Sequence, residues 1–272
     1  MSDFFPIMAW NWIPGEAAIF EKLHACGMTV AGFVKPEHLD LARDAGLQAI
    51  VHDPRLSNYD WKHPDADAIR RNIAAVVAEV GDHPAVYGYY LKDEPDTHDF
   101  AGLEIAVAEI RRLAPGKWPY INLFPDYATQ EQLGAGSFAE YLETFIIACH
   151  PPIVSYDCYA LMEDTDVMPW YWTNLTAVSA AAQRHSLPFW NIVLSVATFT
   201  YRELTAADAR FQAYTTLAYG GRGLSYFTYF SPEIGNYRMA PIDQFGNQTP
   251  TWYLLQHVNL QIAKLAPTLR QL

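Results

Sequence analysis

Short runs of apolar and β-branched residues alternate along this chain with longer stretches in which apolar positions recur every three or four residues, and the alternation repeats about eight times. The runs fit buried strands, and the stretches fit helices with one apolar face. Strands are expected over residues 6–12, 29–34, 47–53, 85–94, 118–124, 152–159, 188–196 and 223–230. Helices are expected over 16–25, after Pro36, over 66–80, 100–113 and 138–149, up to about 185, after Thr205, and over 251–265. Local punctuation supports these limits. Gly27 stops the first helix, Pro36 suits a first helical turn, Pro95 ends the fourth strand, and Thr205 caps a helix whose first turn holds Asp208. A long polar loop runs from the third strand through Trp61.

Strand followed by helix, repeated without a linker-like break in composition, is the rhythm of a parallel sheet. Eight repeats in 272 residues match one closed barrel of about 250 residues. The Gly-rich GxGxxG turn that marks an open, doubly wound nucleotide-binding sheet is absent after the first strand. The expected fold is therefore a single (β/α)8 TIM barrel occupying residues 1–272.

Composition narrows the function. A formal net charge of -12 opposes binding to a phosphate backbone, and no basic cluster is denser than Arg70-Arg71 or Arg111-Arg112, so nucleic acid is not an expected partner. No apolar run is long enough to span a membrane. The start lacks a basic segment followed by a long apolar one, which implies a cytoplasmic protein or one whose leader has been removed. Cys26, Cys149 and Cys158 lack CxxC spacing and sit in apolar stretches, as small buried hydrophobes do. No HxH or HExxH pair is present, and neither a metal nor a cofactor is expected. Aromatic residues make up 14% of the chain, with 8 Trp and 17 Tyr, a supply suited to stacking on sugar faces as well as to filling a core.

In such a barrel the chemistry sits at the carboxyl ends of the strands. Polar and aromatic residues fall there repeatedly: Trp10 and Trp12, Lys35, His52, Lys92-Asp93-Glu94, Asn122, Tyr156-Asp157 with Tyr159, Asn191, and Tyr229. Lys92-Asp93-Glu94-Pro95 is the sharpest of these signals. Alternation along a strand puts Gly88, Tyr90, Lys92 and Glu94 on one face. If that face looks into the barrel, Glu94 reaches the top of the interior beside a second carboxylate, where its proton is held near neutral pH as a general acid requires. The plainer alternative is an ion pair with Lys92 or a helix cap.

Asp-Glu-Pro at the end of the fourth strand resembles the Asn-Glu-Pro motif of the clan A glycoside hydrolases, retaining enzymes on a (β/α)8 barrel. The stretches Ser155-Tyr-Asp-Cys-Tyr159, Ala218 to Tyr229, and Pro241 to Trp252 followed by His257-Val-Asn259 are similar to segments of their bacterial β-galactosidase-like and β-glucanase-like members. The resemblance implies Glu94 as acid/base, Asp93 in the place of the Asn that contacts the sugar 2-hydroxyl, and Tyr156 or Tyr159 beside the anomeric carbon. It also implies a nucleophilic Glu at the end of the seventh strand, and residues 188–196 contain no acidic residue. Asp157 is the first candidate for the second carboxylate, and Glu203, folding back from the following loop, is another. A third route resembles the substrate-assisted chitinases, whose acidic pair on the fourth strand and Met-x-Tyr-Asp motif Ser155-Tyr-Asp157 partly matches.

Three functions fit these residues. The first is a glycoside hydrolase, with Lys35, His52 and Lys92 available to a carboxylate on an acidic sugar. The second is a carbohydrate-binding pseudoenzyme, and the third a metal-dependent isomerase or aldolase using His52, Asp53, Asp93, Glu94 and Asp157.

Overall fold

The structure, a computed structural model, describes residues 4–165, 167–269 and 271. Eight parallel strands pair in chain order: β1 (Ile7–Trp12), β2 (Val30–Val34), β3 (Gln48–Val51), β4 (Val86–Asp93), β5 (Trp118–Leu123), β6 (Val154–Asp157), β7 (Phe189–Leu194) and β8 (Gly223–Phe227). Strand β8 pairs with β1 and closes the barrel. The principal helices are α1 (Ala17–Ala25), α2 (Leu39–Asp44), α3 (Ala66–Val80), α4 (Phe100–Leu113), α5 (Phe138–Cys149), α6 (Trp170–Arg184), α7 (Ala206–Ala218) and α8 (Pro250–Leu269). Among the described residues no helix is long and apolar enough to cross a membrane.

The helices form where the apolar period and the caps agree. In α3, Ile69, Ile73, Val76 and Val80 recur every three or four residues and are buried; each such side chain contributes about 1.5–3 kcal/mol on burial. Asp65 caps this helix by accepting from the Ala68 amide at 2.9 Å. Thr205 caps α7 with Asp208 in its first turn, as expected, and the two form a capping box. Two short helical turns, Pro54–Ser57 and Gln130–Leu133, stand in stretches expected to be loop, and each starts at a local cap, Asp53 and Thr129.

Strands β6 and β8 are shorter than expected. Pro151 and Pro152 have no amide hydrogen to give a neighbouring strand, and β8 stops at Phe227.

Two apolar layers result. Met8, Val30, Phe33, Ile50, Tyr120 and Trp190 fill the barrel interior, with Trp10 and Tyr90 packed on them. The larger layer lies between sheet and helices and takes Tyr89, Leu91, Ile121, Tyr156, Val193 and Tyr226. Cys26, Cys149 and Cys158 are all buried and unpaired.

Candidate active site

Strand β4 does not keep its alternation to the end. Its register against β5 shifts between Tyr90 and Lys92, so that Tyr90 faces Tyr120, Lys92 faces Ile121, and Asp93 faces Asn122. Leu91 and Lys92 therefore both turn outward, and the phase of every later residue moves by one. Lys92 was expected to share an inward face with Tyr90. Instead its Nζ lies 3.6 Å from Asp99, just ahead of α4. Asp93 takes the inward place.

Glu94 follows with φ at 45°, in the left-handed region that side chains bearing a Cβ rarely adopt. Its amide donates to the Asn122 carbonyl at 2.8 Å, which helps hold that conformation. Strained backbone of this kind costs on the order of 1–3 kcal/mol and collects at functional sites.

Asn122, on β5, links the acids. Its Nδ2 donates to Asp93 Oδ1 and to Asp157 Oδ1, both at 2.9 Å. The amide is oriented in turn by Ser155 Oγ, which donates to Asn122 Oδ1 at 3.2 Å and lies 2.9 Å from the Tyr120 hydroxyl. Ser155 and Asp157 alternate inward along β6. These groups border a cleft of about 180 Å³ at the barrel mouth, walled by Trp10, Asp93, Glu94, Asn122, Asp157, Tyr159, Ile192 and Phe227. Tyr159 stacks on Phe227 with ring centroids 5.8 Å apart.

Three carboxyls in one partly dry cleft cannot all ionise at ordinary pH. Burial, followed by the charge of Asp93, pushes the Glu94 carboxyl up to about 7. Burial also holds Asp157 well above the usual carboxylate range, reinforced by the charges of Glu94 and Asp93 and opposed by the Asn122 hydrogen bond. Asp93 is raised by burial as well, with Asn122 and Lys92 opposing.

The remaining expected residues lie elsewhere. Tyr156 points away from the mouth into the helix layer, where it packs near Phe189. Asn191 donates to Thr216 on α7 at 2.9 Å. The Tyr229 hydroxyl accepts from Trp252 on α8 at 2.8 Å, and the Tyr229 ring is buried. All three follow the outward phase of their strands or leave the strand altogether, so the rim their positions suggested does not include their polar atoms.

Lys35 stands exposed beside Glu37. His52 is buried under Trp12, ring centroids 4.0 Å apart, and burial lowers it to about 4. Trp12 is half exposed and stands outside the cleft. Asp53 caps the turn at Pro54–Ser57 and pairs with Arg55. Glu203 lies in the loop after β7, largely exposed, 3.8 Å from Arg238, which also holds Glu163 at 2.7 Å. At the end of β7 itself stands Ser195, whose Oγ donates to the Thr228 carbonyl at 3.1 Å.

Ile192 and Phe227 are wall residues that the sequence reading missed. Period-two alternation from Trp190 and Ser225 marks both as inward. Among the described residues, no group of three or more His, Cys, Asp or Glu side chains is placed to hold a metal ion.

No protein-family model matches the chain, and no curated protein sequence does. Solved structures do resemble it. A β-galactosidase from the psychrophilic Marinomonas ef1 aligns with a TM-score of 0.70 at 10% identity, over 97% of this chain and 60% of its own. A GH2 β-galacturonidase from Eisenbergiella tayi gives 0.61 at 13% identity, over 92% of this chain and 48% of its own. A β-glucuronidase from an uncultured Clostridium sp. gives 0.63 at 10% identity, over 94% and 50%. The chain thus spans 48–60% of the length of these proteins. Its fold is a glycoside hydrolase-like (β/α)8 barrel.

Proposed function

We propose that the chain is a glycoside hydrolase that cleaves an O-glycosidic bond of an oligo- or polysaccharide, with Glu94 protonating the leaving oxygen and Asp157 as the second carboxylate. One observation carries the reading. The Glu94 carboxyl borders the cleft and, raised to about 7, holds a proton it can give at neutral pH.

Crowded acids divide protons and charge between them, so one can donate while another stays ionised. Asp157 then serves either as base to a water or as nucleophile at the anomeric carbon; the two routes give inversion and retention. Asp93 offers hydrogen bonds to ring hydroxyls, and Asn122 holds it and Asp157 in place. No Lys or Arg borders the cleft among the described residues, so the ring bound there is uncharged.

The test is turnover of a panel of neutral aryl glycosides and oligosaccharides, with the first-formed anomer followed by proton NMR. Glu94→Gln should lower kcat/KM by at least about 100-fold. A variant within a few-fold of wild type on the best substrate refutes the assignment.

The reading with carbohydrate binding alone has its own support. The end of β7 carries Ser195 rather than an acid, Glu203 pairs with Arg238, and burial disfavours the ionised form of Asp157 that a base or nucleophile needs. It expects glycans to bind without release of product, and detection of stoichiometric product removes it.

A further inference from the structure

Asp93 and Glu94 are neighbours in the chain, and both border the cleft. Successive residues of a regular strand point to opposite faces, so two neighbours reach one cleft only where the strand conformation breaks. The break is at Glu94, whose backbone is left-handed. Nothing in the local sequence favours it. Glutamate carries a Cβ, and the proline that follows favours extended backbone at the residue before it. The conformation is imposed from outside.

Two hydrogen bonds bracket it. On one side the Glu94 amide donates to the Asn122 carbonyl of β5. On the other, the Tyr141 hydroxyl donates to the Pro95 carbonyl at 2.7 Å. Tyr141 belongs to α5 and is fully buried, its ring centroid 5.6 Å from that of Phe100 on α4, 6.4 Å from Phe124 after β5, and 6.2 Å from Phe138. A ring walled in this way fixes where its hydroxyl lies. Burial holds the phenol well above its ordinary value, so it stays a donor across the neutral range. The turn beyond Pro95 is tied to the segment leading into α5 as well, where Thr97 Oγ1 donates to the Gly134 carbonyl at 2.7 Å.

We propose that Tyr141 is a positioning residue for the proton donor: its hydroxyl anchors the Pro95 carbonyl and so keeps Glu94 turned into the cleft beside Asp93. The catalytic meaning rests on the glycosidase reading, whereas the anchoring stands on the geometry alone. Released from that bond, the backbone at Glu94 relaxes toward the extended form, which carries the carboxyl toward water and away from Asp93. Both causes that raise it, burial and the charge of Asp93, then weaken. The other titratable groups that face Glu94 are Asp157 of β6, Tyr159 just beyond it, and Tyr141 itself. Replacing Tyr141 by Phe alters the charge of none of them, because the phenol is neutral near pH 7.

The experiment titrates the Glu94 carboxyl by carbon NMR in protein carrying carboxyl-labelled glutamate, its signal assigned by its loss in Glu94→Gln. Tyr141→Phe keeps the ring and removes the bond. It should lower the Glu94 midpoint by about one pH unit, about a tenfold loss of proton affinity. On the best glycoside it should lower kcat about tenfold with KM within about twofold, and move the basic limb of the kcat/KM profile to lower pH. Tyr226→Phe is the control. It removes another buried hydroxyl bond, to Asn259 on α8 at 2.7 Å, and should leave the Glu94 midpoint at the wild-type value. Thr97→Val, a milder change, should shift the midpoint in the same sense by less, and it decides the matter if circular dichroism shows that Tyr141→Phe does not fold. An unmoved midpoint in the deciding variant, or an equal shift in Tyr226→Phe, overturns the proposal. A lowered midpoint in a protein that turns over no glycan keeps the anchoring and removes the glycosidase reading. Turnover with an unmoved midpoint does the reverse.

Discussion

Replacing Glu94 by Gln removes one ionisable group from a cleft that holds three, and the stability of the protein should report it. In the folded chain burial raises this carboxyl from 4.5 to about 7, with the charge of Asp93 adding to the effect. Unfolding restores the ordinary value. Between those two limits the folded state binds more protons than the unfolded state, so stability falls as pH rises through the window and the full penalty stands above it. A tenfold change in proton affinity corresponds to about 1.4 kcal/mol, which sets a ceiling of about 3.4 kcal/mol. Glu94 is only partly buried, and solvent screening reduces the expected effect to about 1.5 kcal/mol. Gln keeps the shape and carries no charge. Glu94→Gln should therefore exceed wild type by about 1.5 kcal/mol near pH 8, roughly 3–6 °C in Tm for a chain of this size. Near pH 4 the two should coincide. Urea unfolding followed by tryptophan fluorescence across this pH range measures the difference. Equal stability near pH 8, or a variant that keeps the wild-type loss of stability with rising pH, would show that burial does not hold up the Glu94 carboxyl.

Asn122→Ala removes the amide that donates to Asp93 and Asp157. It should cost about 2–4 kcal/mol near neutral pH and move the acidic carboxylate limb of the kcat/KM profile to higher pH, because those hydrogen bonds favour the ionised acids; an unmoved profile rejects the bridging role. Glu203→Gln should change unfolding free energy by less than about 0.5 kcal/mol and leave hydrolysis within a few-fold, since its Arg238 contact is exposed. A hundredfold loss of turnover would make Glu203 the nucleophile. An aryl uronide should be cleaved at least about tenfold less efficiently than the matching neutral glycoside, as its carboxylate would enter a cleft bordered by three acids and no cation among the described residues. Equal rates would mean that a cation reaches the bound ring.

Much of the architecture was legible because it rests on local signals. The helices over 66–80, 100–113 and 138–149 have the bounds that periodicity and caps imply. Trp10, Asp93, Glu94, Asn122, Asp157 and Tyr159 converge because every strand end of a closed parallel barrel arrives at one rim. Which side each residue takes at that rim was less legible. Asn191 and Tyr156 fall on the outward phase of their strands, and the register shift in β4 exchanges Lys92 for Asp93. A bulge leaves no mark in hydrophobicity, since it depends on how the neighbouring strand aligns.

By itself, then, the chain determined the order and type of its principal strands and helices and brought Trp10, Asp93, Glu94, Asn122, Asp157 and Tyr159 to the barrel mouth, because caps, breakers and periodicity act over a few neighbours. The tertiary structure alone decided that Asn122 holds two acids at once, that Glu94 stands in a strained backbone conformation, that Lys92, Lys35 and Glu203 pair elsewhere, and that Glu94 keeps its proton to about 7. Those outcomes depend on burial and on charges brought together from β4, β5 and β6, and distance in space is set only when β8 closes against β1.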